Sequence, residues 1–183
     1  TSKIVSIWQG RCIKISSKIS KDEFVKKEAD FYISRDEVPQ KWVMLTIKDN
    51  ILIPTAGIDE SNANGYYVLW PKNPYLAAKK IYTFIKKTYK LKKFGVIISD
   101  SHTAPLRNGI MGIGIAYHGF YPLRDYRGTK DIFGRVLKMT QTNIVDSLVT
   151  AAVFEMGEGN EQKPLAIIED AKNIEFKDFS DKN

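Results

Sequence analysis

Residues 94–117, FGVIISDSHTAPLRNGIMGIGIAY, decide the fold. Phe94–Ser99 is an apolar run of strand length that ends in Asp100-Ser101-His102. Met111, Ile113, Ile115 and Tyr117 then alternate with Gly112, Gly114 and Ala116, a second strand with one bare face that could admit another backbone or a ligand. No helix separates the two strands, so the chain lacks the regular strand–helix–strand order of a parallel α/β sheet. Upstream, Asn73-Pro74 starts a helix with the stripe Leu76, Ala77, Ile81, Phe84 and Ile85. Downstream, Asn143 to Met156 is a second long helix, stopped by Gly157. Ser20-Lys21-Asp22-Glu23 has capping-box spacing and predicts a helix carrying Phe24, Val25, Phe31 and Tyr32 on one face. Ile4–Trp8 and Cys12–Ile15 read as short strands around a turn at Gln9-Gly10. Trp42–Ile47 and Ile51–Ile53 read as a hairpin across Lys48-Asp49-Asn50. Tyr66–Trp70 and Leu165–Ile168 complete the expected strands. The mixed order predicts an α+β fold of mixed sheets with a few helices.

At 183 residues the chain is expected to form one domain, with room for an inserted lobe. Hydrophobic residues make up 43% and charged residues 27%, which excludes a disordered or fibrous chain. The single cysteine, Cys12, excludes an internal disulfide framework and a cysteine-based zinc cluster, and fits a reducing, cytoplasmic compartment. The longest uncharged stretch, Asn108 to Leu123, contains Gly109, Gly112, Gly114, Gly119 and His118, so it reads as folded backbone and not as a membrane span. No signal peptide is visible, and Thr1-Ser2-Lys3-Ile4-Val5 looks like the interior of an element, which predicts residues upstream. The net charge is +7. Between Glu60 and Asp100 there is no acidic residue, while lysines fall at 72, 79, 80, 86, 87, 90, 92 and 93. These lysines are either the wet face of a helix or a surface for a polyanion such as nucleic acid.

Four segments carry residue types suited to chemistry. Ala56-Gly57-Ile58-Asp59-Glu60-Ser61-Asn62 combines small residues, two carboxylates and an amide after a strand, either a polar turn or a cation and phosphate site. Asp100-Ser101 ends an apolar strand, and a carboxylate beside a hydroxyl suits Mg²⁺ or Mn²⁺. His102 next to it reads mainly as a hydrogen-bonded structural residue. Pro122-Leu123-Arg124-Asp125-Tyr126-Arg127-Gly128 holds two guanidinium groups that either grip a carboxylate or phosphate or close a structural Arg–Asp bridge. Met156-Gly157-Glu158-Gly159-Asn160-Glu161 sets acids around two glycines past a helix end. No Walker loop occurs, and Gly112-Ile113-Gly114 lacks the third glycine of a dinucleotide fingerprint.

Together with the opening Thr1-Ser2-Lys3-Ile4-Val5-Ser6, Asp131, Gly134-Arg135 and Ala151-Ala152, these segments in this order resemble the coenzyme F-420-0:γ-glutamyl ligase (CofE-like) family over nearly the whole chain. The wording Ser6-Ile7-Trp8-Gln9-Gly10-Arg11 and Thr103-Ala104-Pro105-Leu106-Arg107 is similar to a bacterial branch labelled as folate-metabolism γ-glutamate ligases. The deazaflavin branch instead has a nucleotide-contacting lysine where this chain has Ile7, and Gly-Arg-Pro-Trp-Arg where it has residues 103–107. The resemblance implies a GTP-dependent ligase that joins L-glutamate to F-420-0 or a folate through an acyl phosphate, in an intertwined homodimer. It further implies two Mg²⁺ or Mn²⁺ sites with K⁺ helping. Asp59 and Asp100 would hold one ion, Ser101 and Glu158 a second. Ser2, Asn62, Met156, Gly157, Gly159 and Lys163 would border the nucleotide, and the family's N-terminal nucleotide loop would lie upstream of Thr1. Arg107, Arg124 and Arg127 would hold glutamate or acceptor carboxylates and offset developing charge. Membrane and nucleic acid are not among the partners it implies. A basic nucleic-acid-binding module and a non-catalytic, ligand-binding relative of the ligase are the alternatives, the first motivated by the lysine run and the second by Ile7.

Overall fold

The computed structural model describes residues 1–179. They form two compact units, Thr1–Asn73 with Asp100–Met111, and Pro74–Ser99 with the described residues from Gly112 onward.

The first unit opens with helix α1 (Ser2–Trp8), then β1 (Cys12–Lys14), α2 (Lys21–Glu28), β2 (Phe31–Ile33), β3 (Leu45–Lys48), β4 (Ile51–Pro54) and β5 (Tyr66–Val68). Strand β1 pairs antiparallel with β5, and β2, β3 and β4 form a three-stranded antiparallel sheet. The strand expected at Ile4–Trp8 is instead α1. Ser2, Val5 and Ser6 are buried at helical spacing while Ile4 and Trp8 face out. A short apolar run fits either period, and here burial of this one face decides for helix. The capping box is present: the Ser20 hydroxyl accepts the Glu23 N–H at 3.4 Å and the Glu23 carboxylate accepts the Ser20 N–H at 2.8 Å. Helix α2 stops at Glu28, however, and Phe31 and Tyr32 lie in β2, paired with Ile47 and Thr46. The β3–β4 hairpin turns at Asp49-Asn50, both with positive φ, as a two-residue turn requires.

Val25, Met44, Ala56, Ile58, Tyr67 and Leu69 form the core of this unit. Register places Thr46 and Ile53 on the buried face of the sheet, and Phe31, Ile33, Leu45, Ile47 and Leu52 on the other, where Phe31 remains 70% exposed. The buried Thr46 hydroxyl donates to the Ile53 carbonyl and accepts the Ala56 N–H at 2.8 Å. That bond backs a tight turn in which Thr55, Ala56 and Gly57 all have positive φ, a costly conformation for the two residues with a Cβ. Gly57 lies against Trp70 so closely that a Cβ there would sit 2.3 Å from its ring.

The second unit contains α3 (Pro74–Tyr89), β6 (Val96–Thr103), β7 (Ile110–His118), β8 (Leu123–Asp125), β9 (Gln141–Asn143) and α4 (Ile144–Met156). Strands β6 and β7 pair with each other, and the boundary between the units runs across both. Strands β8 and β9 form an antiparallel hairpin. Phe120, Val145, Val149, Val153 and Met156 make the core. The bare face of β7 admits another backbone, that of α4: a Cβ on Gly112 would meet the Val149 carbonyl at 2.6 Å, and one on Gly114 the Val145 side chain at 2.1 Å. Asn143 caps α4, accepting the Asp146 N–H at 3.1 Å, and the Asp146 carboxylate accepts the Gly114 N–H at 2.8 Å. On α3, Ala77, Ala78 and Tyr82 are buried, while Leu76 and Phe84 of the expected stripe are exposed. The lysines of α3 lie on its wetter side, Lys80 and Lys87 being exposed. The strand expected at Leu165–Ile168 is absent. These residues pair with no other strand among the described residues, and Leu165 and Ile167 stay exposed, so apolar character alone does not make a ladder. No helix among the described residues is long and apolar enough to cross a membrane.

Thr46→Val keeps the side-chain shape but strips a buried N–H of its acceptor. It is expected to cost about 1–3 kcal/mol, read as a lower urea midpoint at unchanged slope. A midpoint equal to the parent's would show that the turn does not need this bond.

Candidate functional site

In the first unit the turn that follows Gly57 delivers Asp59. Its backbone is tied to β5, with Asp59 N–H to Val68 O at 3.0 Å and Val68 N–H to Asp59 O at 2.8 Å. The carboxylate is then oriented by its own loop: Oδ1 accepts the Ser61 N–H and the Ser61 hydroxyl, both at 2.8 Å. Oδ2 meets the Lys3 ammonium from α1 at 2.7 Å. Lys3 also donates to the Ser61 carbonyl at 2.8 Å and to the Ser61 hydroxyl at 3.2 Å. Burial pushes the Asp59 pKa up, but Lys3 and Ser61 together outweigh it and hold the carboxyl below its ordinary range. Asp59 is therefore ionised at neutral pH.

Asp100 approaches the same helix start. Its carboxylate lies near the backbone nitrogen of Thr1, the N-cap residue of α1. Asp100 Oδ1 accepts the Ser101 N–H at 2.9 Å. Ser2 is buried beside Lys3 in the first turn of α1, and Asn62 follows the Asp59 loop with φ of 51°. Asp59 and Asp100, the pair expected to share an ion, thus both lie near the start of α1. Arg107 lies in an exposed loop of this unit, next to a fully exposed Leu106. The Nδ1 of His102 is buried with no hydrogen-bond partner.

The remaining expected residues belong to the second unit. Met156 ends α4 in the core, and Gly157 turns the chain with φ of 76°. Glu158, Gly159 and Lys163 follow in an exposed turn organised by Glu161, whose carboxylate accepts the Gly159 N–H at 2.7 Å and packs over Gly157. Arg124 is half-buried, stacks over Tyr126 at 4.8 Å, and lines a groove of about 580 Å³ with Tyr121, Ile144, Asn173 and Glu175. Arg127 forms a fork with Asp125, Nε to Oδ1 at 2.9 Å and Nη2 to Oδ2 at 2.6 Å. Of the two expected readings, the structure shows the Arg–Asp bridge.

Among the described residues no three His, Cys, Asp or Glu side chains gather as a metal cluster. The donors around Lys3 Nζ are nevertheless a carboxylate, a carbonyl and a hydroxyl. Hard oxygens around one positive charge fit Mg²⁺ or Mn²⁺. Two residues that sequence reading gave no role stand out here, Lys3 and Thr46, and Glu161 takes a role in its own turn. Lys3 and Thr46 act on residues that the fold brings to them, and no local pattern marks either one. Glu161 acts within its own turn, and its place just past two glycines is a readable signal.

The bidentate bridge predicts a titration. Hydrogen bonds from the Arg127 side chain and backbone lower the Asp125 pKa from 3.8 to about 2. Because the folded value is depressed, the bridge contributes stability above pH 3.8 and loses it as the pH falls towards 2. In Arg127→Gln the Asp125 carboxyl should titrate above the parent's value, measured by carboxyl ¹³C shifts. An unchanged low value would show that the backbone alone sets it.

Comparison with known proteins bears on all of these residues. A family profile described as F420-0:Gamma-glutamyl ligase matches residues 1–170. A protein named Coenzyme F420:L-glutamate ligase from Methanocaldococcus jannaschii is 37% identical over 168 residues, covering 90% of this chain and 66% of the relative. Its namesake from Methanococcus maripaludis strain S2 is 37% identical over 160 residues, 87% of this chain and 64% of the relative. Another from Methanosarcina mazei is 40% identical over 114 residues, 62% of this chain and 44% of the relative. The chain spans about two thirds of the length of the first two relatives. A match that takes in both units, from the Lys3–Asp59 cradle to the turn after α4, leaves one assignment: the chain belongs to the F420-0:γ-glutamyl ligase family.

Proposed function

We propose that the protein joins the amine of L-glutamate to a carboxylate of an acceptor, F-420-0 or a folate, with GTP as co-substrate. The observation that carries this reading is the likeness to Coenzyme F420:L-glutamate ligases over 90% of the chain. A carboxylate is a poor electrophile. Transfer of the γ-phosphoryl group to an acceptor carboxylate oxygen breaks the bond to the nucleotide diphosphate and forms an acyl phosphate. The glutamate amine then attacks the acyl carbon, phosphate leaves, and the amine gives up a proton to form the amide.

In this reading Asp59 and Asp100 would hold one divalent ion, while Ser101 and Glu158 are the residues the family resemblance implies for a second, with K⁺ assisting. Bound there, the ions would neutralise charge on the phosphates in flight. The oxygen cradle at Asp59 supports the first site. Ser2, Asn62, Met156, Gly157, Gly159 and Lys163 border the nucleotide. Arg124 holds a substrate carboxylate, a role supported by its half-buried place in the wall of an open groove. Arg107 assists from its open loop. Arg127 acts through its fork with Asp125, which keeps the hairpin around Arg124 in shape. A homodimer is supported by the uncovered apolar face of β2–β3–β4 and by Phe133, 89% exposed on the hairpin arm. The lone Cys12 suits a cytoplasmic setting.

Incubating the protein with GTP or ATP, Mn²⁺, glutamate and each acceptor should release phosphate and add one glutamyl residue of mass per turn. Asp100→Asn should cut that turnover about 100-fold or more while the protein stays folded. Absence of product with every combination would overturn the ligase reading. Salt-sensitive RNA binding in its place would favour the basic surface of α3.

A further inference from the structure

Lys3 places its ammonium in a ring of oxygens. Its Nζ lies 2.7 Å from Asp59 Oδ2, 2.8 Å from the Ser61 carbonyl and 3.2 Å from the Ser61 hydroxyl. The lysine comes from α1 and the oxygens from the loop after Gly57, so two separate elements build one cation position. The Lys3 side chain is 23% exposed and that of Asp59 42%, so the pair is shielded enough to attract strongly and open enough to exchange. Two cations cannot occupy the inner side of Oδ2 at once.

We infer that Lys3 is a built-in rival of the divalent ion at Asp59, a positioning residue that sets how much metal the protein needs before that carboxylate is metallated. The inference rests on the metal reading of Asp59 above. Without an ion, the ammonium neutralises Asp59. When the ion binds, Lys3 must leave Oδ2, and the cost of breaking its bonds is subtracted from the metal's affinity. The same bonds keep the Asp59 loop in a binding-ready shape, so the ion meets ordered oxygens and not a loose loop.

The test uses the full chain and Mn²⁺ alone, with free Mn²⁺ followed by electron paramagnetic resonance and melting temperatures taken with and without the ion. Lys3→Met should bind Mn²⁺ roughly tenfold more tightly than the parent. Without metal it should melt lower, and saturating Mn²⁺ should close most of that gap. Lys3→Arg, which keeps the charge, should bind Mn²⁺ as weakly as the parent. Should Lys3→Met fail to fold, Lys3→Gln keeps a donor for the Ser61 carbonyl without the charge and is judged by the same affinity. Asp59→Asn should lose the tight Mn²⁺ site. If the neutral variant binds Mn²⁺ no more tightly than the parent while Asp59→Asn loses it, the rivalry is wrong and the metal site stands. If Asp59→Asn binds as the parent does, the metal reading fails and the inference falls with it.

Discussion

A single buried hydroxyl governs the first unit. Thr46 sits on the inner face of a three-stranded sheet and commits its hydroxyl to the backbone at Ile53 and Ala56. Three successive residues in left-handed conformation would otherwise be the least stable point of the unit. Held there, they turn Ile58 into the core and present Asp59 on the opposite side of the chain, where β5 grips its backbone at both N–H and carbonyl. Trp70 closes the other side of the turn against Gly57 and anchors its own indole N–H on Asp49 at 2.9 Å. The hairpin turn, the strained turn and the acidic loop are therefore one connected object.

Charge is handled just as locally. The Asp59 carboxylate near the start of α1 is balanced from within the unit, by Lys3. In the second unit the turn after α4 is folded over by Glu161, and the tip of the hairpin is tied by Asp131, whose carboxylate accepts two backbone N–H groups at 2.9 Å. The two loops of the second unit satisfy themselves, whereas the Asp59 loop needs Lys3 of α1. Loops held in this way present their polar groups in a preset geometry.

Much of this was legible from residue order. The Ser20 capping box, the Asp49-Asn50 hairpin, the Pro74 helix start and the Gly157 stop are signals within a few residues, and each element formed where its signal stood. The failures came where distant packing outvoted a local pattern. Ile4–Trp8 has an apolar run too short to fix a period, and burial of Ser2, Val5 and Ser6 made it helical. Phe31 and Tyr32 continue the helical spacing of α2, but pairing with β3 drew them into a strand. Asp59 and Asp100 were nameable as candidate residues from their motifs, whereas Lys3 had to be seen in place. Its partner lies on the far side of β1, α2 and a whole sheet in the sequence, and no spacing rule spans that distance.

The glycine face of β7 has an evolutionary meaning. Gly112 and Gly114 let α4 lie almost on the strand backbone, and the valines of α4 fill the space that two side chains would have taken. Neither surface can drift alone. A larger residue on the strand is tolerated only where Val145, Val149 or Val153 shrinks in the same lineage, so substitutions here should arrive as compensated pairs. Across relatives, strand and helix would then change together, as linked columns in an alignment. The exposed loop around Leu106, bound by no such constraint, is free to vary one residue at a time.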